Sequence, residues 1–123
     1  MKRILIVFFV SAILPCLLLA NESPTKVVEK YLGYMQYKQY DKMYELHTIQ
    51  NKQAVPKEQF ISECEENDVI SLQSFKINSE EIESDSAIVK YQMTYTILVI
   101  GTTETIYQVM YLYLQDGQWR INY

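Results

Sequence analysis

The stretch Val89-Lys90-Tyr91-Gln92-Met93-Thr94-Tyr95-Thr96-Ile97-Leu98-Val99 decides the fold of this chain. Val89, Tyr91, Met93, Tyr95, Ile97 and Val99 occupy every second position, with Lys90, Gln92, Thr94 and Thr96 between them. A period of two puts the first set on one face of a strand and the second on the other, so one face is packed and one is solvated. Upstream, Leu72 to Ile82 reads as a preceding strand with Phe75 and Ile77 two apart, and Ser84-Asp85-Ser86 supplies the turn between them. Downstream, Gly101 with Thr102 and Thr103 turns the chain into a third strand, Thr105 to Gln115, apolar on both faces. Asp116-Gly117 is a two-residue hairpin signal that returns the chain into a last strand with Trp119, Ile121 and Tyr123 inward.

Before Asn67-Asp68 the period is helical. Ser23-Pro24 offers a cap and a first-turn proline, and Val28, Leu32 and Met35 with Val27, Tyr31 and Tyr34 follow at helical spacing, so a first helix is predicted from about Pro24 to Gln39. Asp41 is placed to cap a second, shorter helix in which Met43, Leu46 and His47 share a face. The polar run His47 to Gln53 ends it. Pro56 starts a third helix with Phe60, Ile61 and Cys64 inward. Three N-terminal helices packed on a curled four-stranded antiparallel sheet make an α+β layout. The second and third strands, roughly 45 Å each at about 3.3 Å per residue, must twist and curl round a helix into a cone.

The chain opens with Lys2 and Arg3, an apolar run from Ile4, and a small residue at Ala20. That pattern reads as a secretory signal over residues 1–20, cut after Ala20, ahead of one domain over 21–123. Ile4 to Ala20 is short against the roughly 20 apolar residues of a spanning helix, and Pro15 interrupts it; retention as a membrane anchor is the alternative. Lipidation of Cys16 is disfavoured because Pro15 stands where that chemistry wants a small residue. An exported protein, periplasmic or extracellular, is the expectation. Losing Lys2 and Arg3 leaves 9 basic against 15 acidic residues, a charge of −6, which repels a phosphate backbone and excludes nucleic acid as a partner. Past the leader only Cys64 remains, so no internal disulfide forms, and burial as a small hydrophobe is its expected role.

Three segments resemble the nuclear transport factor 2-like superfamily, in the small exported form that includes cystatin-like lipoproteins of bacteria. They are Tyr40-Asp41-Lys42-Met43-Tyr44-Glu45-Leu46, the hairpin entry Ser84-Asp85-Ser86-Ala87-Ile88-Val89, and the closing Asp116-Gly117-Gln118-Trp119-Arg120-Ile121. Together they span nearly all of the chain past the leader. The resemblance implies the cone-shaped fold. It also implies a range of roles, since the superfamily holds isomerases, dehydratases and cyclases beside many non-catalytic binding or assembly domains, and small exported members look mostly non-catalytic.

Enzymes of this kind place an Asp, Glu or His inside the cone, often beside a Tyr. Here Lys90 and Arg120 alternate onto the faces opposite Val89, Tyr91, Trp119 and Ile121, while Glu104 and Asp116 are expected in turns. His47, the sole histidine, is expected as a partly buried residue near a helix C-terminus. No catalytic residue, cofactor or metal site is therefore predicted. Eleven tyrosines in 123 residues raise another possibility. Tyr91, Tyr95, Tyr107, Tyr111 and Tyr113 fall on odd positions of adjacent strands, and with Trp119 a wall of Tyr91, Tyr95, Tyr107 and Tyr111 would line a pocket for a small apolar ligand. Cross-strand packing is the plainer explanation.

The expected function is thus an exported, non-enzymatic domain that binds a protein partner or a small apolar ligand. Two alternatives stand beside it. One is a ketosteroid isomerase- or dehydratase-like enzyme using Asp41 or His47 with a sheet tyrosine. The other is assembly, as a homodimer through the sheet or the first helix, or as an accessory of an envelope or secretion complex.

Overall fold

A computed structural model of the protein describes residues 22–123, so the proposed leader lies outside the described residues. Among the described residues four helices precede the sheet: α1 (Pro24–Gln36), α2 (Tyr40–Glu45), α3 (Ile49–Ala54) and α4 (Lys57–Glu66). The strands are β1 (Ile70–Glu83), β2 (Ser86–Ile97), β3 (Thr102–Gln115) and β4 (Gln118–Asn122), paired antiparallel in the order β1-β2-β3-β4. This is the expected α+β layout with one helix more than the three predicted. The polar run after His47 folds as α3 because Thr48 caps it, its hydroxyl accepting the Asn51 N–H at 3.2 Å.

Helix α1 begins as its sequence dictates: the Ser23 hydroxyl accepts the Lys26 N–H at 3.2 Å and Pro24 takes the first turn. It stops at Gln36, three residues early, because Lys38 adopts a left-handed φ of 59°. Val27, Val28, Tyr31 and Leu32 form its buried stripe, and α1 lies across β1, β2 and β4. The expected cap at Asp41 is not formed. Gln39 occupies the N-cap of α2 without a side-chain bond, and Asp41 is an exposed first-turn residue.

Odd positions of β2 face the helices, as their period requires, with Ala87, Val89 and Tyr91 buried. Ile97 pairs with Thr102 across a four-residue turn from Leu98 to Gly101, where Gly101 sits at φ 70° and donates its N–H to Ile97 O at 2.7 Å. The predicted second strand ran to Val99; the structure ends it at Ile97 and gives Val99 to the turn. Every odd residue of β2 therefore lies opposite an even residue of β3: Ala87 faces Leu112, Val89 faces Met110, Tyr91 faces Gln108. On β3 it is the even positions that look inward. At the other end Asp116 (φ 51°) and Gly117 (φ 73°) make the expected tight hairpin into β4, which pairs only with Tyr111 to Gln115.

Candidate functional site

The parity of the β2–β3 turn breaks up the predicted tyrosine wall. Tyr91 is buried and Trp119 is buried opposite Leu114, both on the inner face. Tyr95 also turns inward, half-buried, and its hydroxyl donates to the Glu104 carboxylate at 3.1 Å, which raises the phenol's pKa. Glu104 thus lies in β3 and not in a turn. Tyr107 and Tyr111 face the opposite side: Tyr107 is 74% exposed and Tyr111 about half exposed, with Tyr113 beyond them. Tyr91 and Tyr107 border one open pocket with Asn78, Lys90, Gln108 and Val109, but Tyr95, Tyr111 and Trp119 are not among its lining residues.

His47 departs furthest from expectation. It lies just past the C-terminal end of α2, as expected, but is 1% exposed, in the core instead of partly buried. The backbone carries it there. Ile121 N–H donates to Leu46 O and Thr48 N–H donates to Ile121 O, each at 2.8 Å, so residues 46–48 bridge in parallel to the outer edge of β4. The Thr48 hydroxyl adds a bond to Asn122 Oδ1 at 3.1 Å. Rings of Tyr31, Tyr44, Phe60 and Tyr123 surround the imidazole with centroids 4.5 to 5.6 Å away. Its Nε2 bonds the Tyr31 hydroxyl at 2.9 Å, and Nδ1 has no partner among the described residues. Burial, aided by the charge of Lys52, lowers the His47 pKa to about 4. The same burial pushes the Tyr31 phenol well up. His47 is therefore neutral at pH 7, and its phenolic partner comes from a helix and not from the sheet.

An apolar cavity opens elsewhere, between the C-terminal ends of α1 and α4 and the start of β1. Met35, Met43, Cys64, Ile70 and Leu72 line it, and Lys38 pairs with Asp68 at 2.7 Å beside it. Cys64 is half-buried at its wall, and burial with the neighbouring Glu63 and Glu65 raises the thiol pKa, so the thiolate is disfavoured. The cavity measures about 200 Å³, below the ~300–1,000 Å³ of ordinary ligand pockets. Neither Asp41 nor His47 is among its lining residues. No cluster of metal-ligating side chains occurs among the described residues.

What the fold does display is the outer face of the sheet. Tyr107, Val109, Tyr111 and Tyr113 follow one another along β3 on the side away from the helices, all exposed, flanked by Ile88, Lys90 and Gln92 of β2 and by Arg120 of β4. The sequence signal for this column was the period-two run itself, but its side of the sheet depended on the length of one turn.

Helices packed on one side of a long, antiparallel four-stranded meander define an NTF2-like domain. The chain belongs to the family of NTF2-like N-terminal transpeptidase domains, whose sequence model matches residues 23–123. Solved structures with the same fold include a SEC-C motif containing protein from Rhodopseudomonas palustris, with a TM-score of 0.69 at 10% identity over 82% of this chain and 76% of that one. A calcium/calmodulin-dependent protein kinase type II association domain assigned in Thiobacillus denitrificans gives 0.62 at 15% identity over 80% and 89%. A Campylobacter jejuni protein assigned as an NTF2-like transpeptidase gives 0.54 at 10% identity over 81% and 97%. At such identities the likeness is one of fold. No curated protein matches the chain.

Proposed function

We propose that this is an exported, non-catalytic domain that works by protein contact, with the outer face of the sheet as its contact surface. The observation that carries the reading is the exposed column Tyr107, Val109, Tyr111 and Tyr113. Aromatic residues are enriched where proteins meet, and this column carries no charge of its own. The leader pattern of residues 1–20 supports an envelope or extracellular setting, and the description of the family as an N-terminal transpeptidase domain supports a transpeptidase-bearing envelope protein as the partner. A neutral, ring-enclosed His47 that does not line the apolar cavity favours contact over ligand turnover.

A photo-crosslinking residue placed at Tyr111 in the native host tests the reading, with the same residue at exposed Glu58 on α4 as control. Adducts with one envelope protein from position 111 and none from position 58 are the expected result. Equal yields from both positions would overturn it. So would turnover of a carbonyl substrate by the purified protein that disappears on Asp41→Asn or His47→Gln substitution.

A further inference from the structure

The two outer edges of the sheet are built differently, and one of them is left open. Strand β4 covers β3 only from Tyr111 to Gln115, then turns away at Tyr123, whose backbone N–H donates to Asn51 Oδ1 at 2.9 Å. Below that point the nine residues Thr102 to Met110 have no neighbour on this side among the described residues. The Leu114 N–H donates to Asp85 O on the β2 side at 2.8 Å, so even-numbered residues of β3 spend their backbone groups on β2. The odd ones, Thr103, Thr105, Tyr107 and Val109, therefore point theirs at the open edge.

Free strand edges are templates for pairing, and proteins blunt them with bulges, charges and prolines. The β1 edge is blunted in this way, with bulges between Leu72 and Ser74 and between Ile77 and Ser79 and with Lys76, Glu80, Glu81 and Glu83 along it. The open stretch of β3 has no bulge, proline or lysine, and Glu104 is its one charge.

We infer that two copies of this chain join through these edges, β3 running antiparallel to the partner's β3 about a two-fold axis at Ile106. The register follows from the backbone. An axis at Ile106 sets Thr103 against the partner's Val109 and Thr105 against the partner's Tyr107, so the free N–H and C=O groups of all four odd residues are paired in both copies. Shifting the axis by one residue to Thr105 strands Val109; shifting it to Tyr107 sets Thr103 against the partner's Tyr111, whose backbone groups β4 already holds. The axis at Ile106 also sets Glu104 against the partner's Gln108, a hydrogen-bonding pair, and never against its own copy. Each β4 then lies in line with the partner's β3. That arrangement brings the turn Leu98 to Ile100, with Val99 82% exposed, against the end of the partner's β4 and gives these aliphatic side chains cover. The contact is isologous and closes at two copies, since the blunted β1 edges end the sheet.

Sedimentation and native mass spectrometry of the whole protein at about 50 µM, above the dissociation constants of most specific interfaces, test the inference directly. A dimer is expected. Thr105→Pro removes an N–H that β2 does not use, so the fold should survive on an edge that tolerates proline while self-association weakens at least about tenfold. If that variant loses its circular dichroism, Thr105→Lys/Tyr107→Lys decides instead, because it sets like charges against each other across the axis, and Thr105→Lys/Tyr107→Glu should restore the dimer. Register is read by oxidation in a Cys64→Ser background. Ile106→Cys should link to its own copy, since directly opposed residues there lie about 4.5 Å apart; Gln108→Cys alone should not. A monomer, a dimer unmoved by the lysine pair, or a β3 edge found occupied by residues 1–21 or by a different protein would each overturn the pairing. None of those results bears on crosslinking from Tyr111, and a failed crosslink leaves the dimer standing.

Discussion

The upper and lower halves of the β2–β3 hairpin share one sequence style and meet opposite fates. In the upper half Ala87, Val89 and Leu112 are buried beneath the helices, with β4 beside them. In the lower half Thr103, Thr105 and Tyr107 are exposed, the turn at Leu98 to Ile100 is bare, and the β3 edge has no neighbour among the described residues. Both halves belong to one regular antiparallel ladder. Burial here is set by what packs on the strand and not by the strand: the inner face of the upper half is core, while its outer face, with Tyr111 and Tyr113, and the lower half are open to contact.

The sharpest way to break that contrast is to hollow out the upper half. Leu32→Ala, in α1, should destabilise the protein by roughly 2–5 kcal/mol in urea unfolding, because a fully buried leucine leaves a cavity that its neighbours cannot fill. Val99→Ala in the lower half should fall within about 0.5 kcal/mol of the parent. Equal costs would mean that the turn is packed in solution.

The pH response comes next. His47 titrates near 4 in the folded protein against 6.5 in the unfolded chain, so the unfolded state takes up the extra proton between those values. The associated stability, roughly 3 kcal/mol, is complete above pH 6.5, falls as pH drops, and is lost by about pH 4. Comparing urea unfolding of the parent and His47→Leu at pH 7, 5.5 and 4 isolates this contribution from that of the carboxylates. Parallel pH profiles for the two would show His47 to be solvated.

Smaller effects sharpen the picture at the seam. Tyr31→Phe strips the one hydrogen bond that the buried imidazole makes among the described residues and should cost about 1–3 kcal/mol. Thr48→Ala removes both the α3 cap and the bond to Asn122, for about 1 kcal/mol, and should raise amide exchange at Asn51 and Ile121 more than in the lower half of β3. Uniform acceleration of exchange along β3 would mean that the two halves open together.

Much of this fold was legible in the residues. The period-two run from Val89 and the Asp116-Gly117 turn placed the sheet and its order, and Ser23-Pro24 placed α1. Asp41 was misread as a cap because a cap is recognised by spacing alone, and Gln39 took that position when Lys38 turned left-handed. His47 was placed at the right helix end, but its depth was missed for a different reason: its burial comes from hydrogen bonds between residues 46–48 and Ile121, more than seventy positions away, which no local pattern records. The tyrosine wall failed on a single parity. Four residues in the turn after Ile97 set odd against even, and one residue more or fewer would have brought Tyr91 and Tyr107 to the same face.

By itself, then, the sequence determined every described helix but α3, the four strands, the meander that links them, and an acidic net charge. Those properties rest on short-range periodicity, turn chemistry and a sum of charges. Only the tertiary structure decided which tyrosines are core and which are surface, why His47 is neutral, and that β4 stops at Asn122 and leaves Thr102 to Met110 of β3 without a neighbour on that side among the described residues. These depend on register and on contacts between segments far apart in the chain, where a shift of one position exchanges the inside of the sheet for the outside.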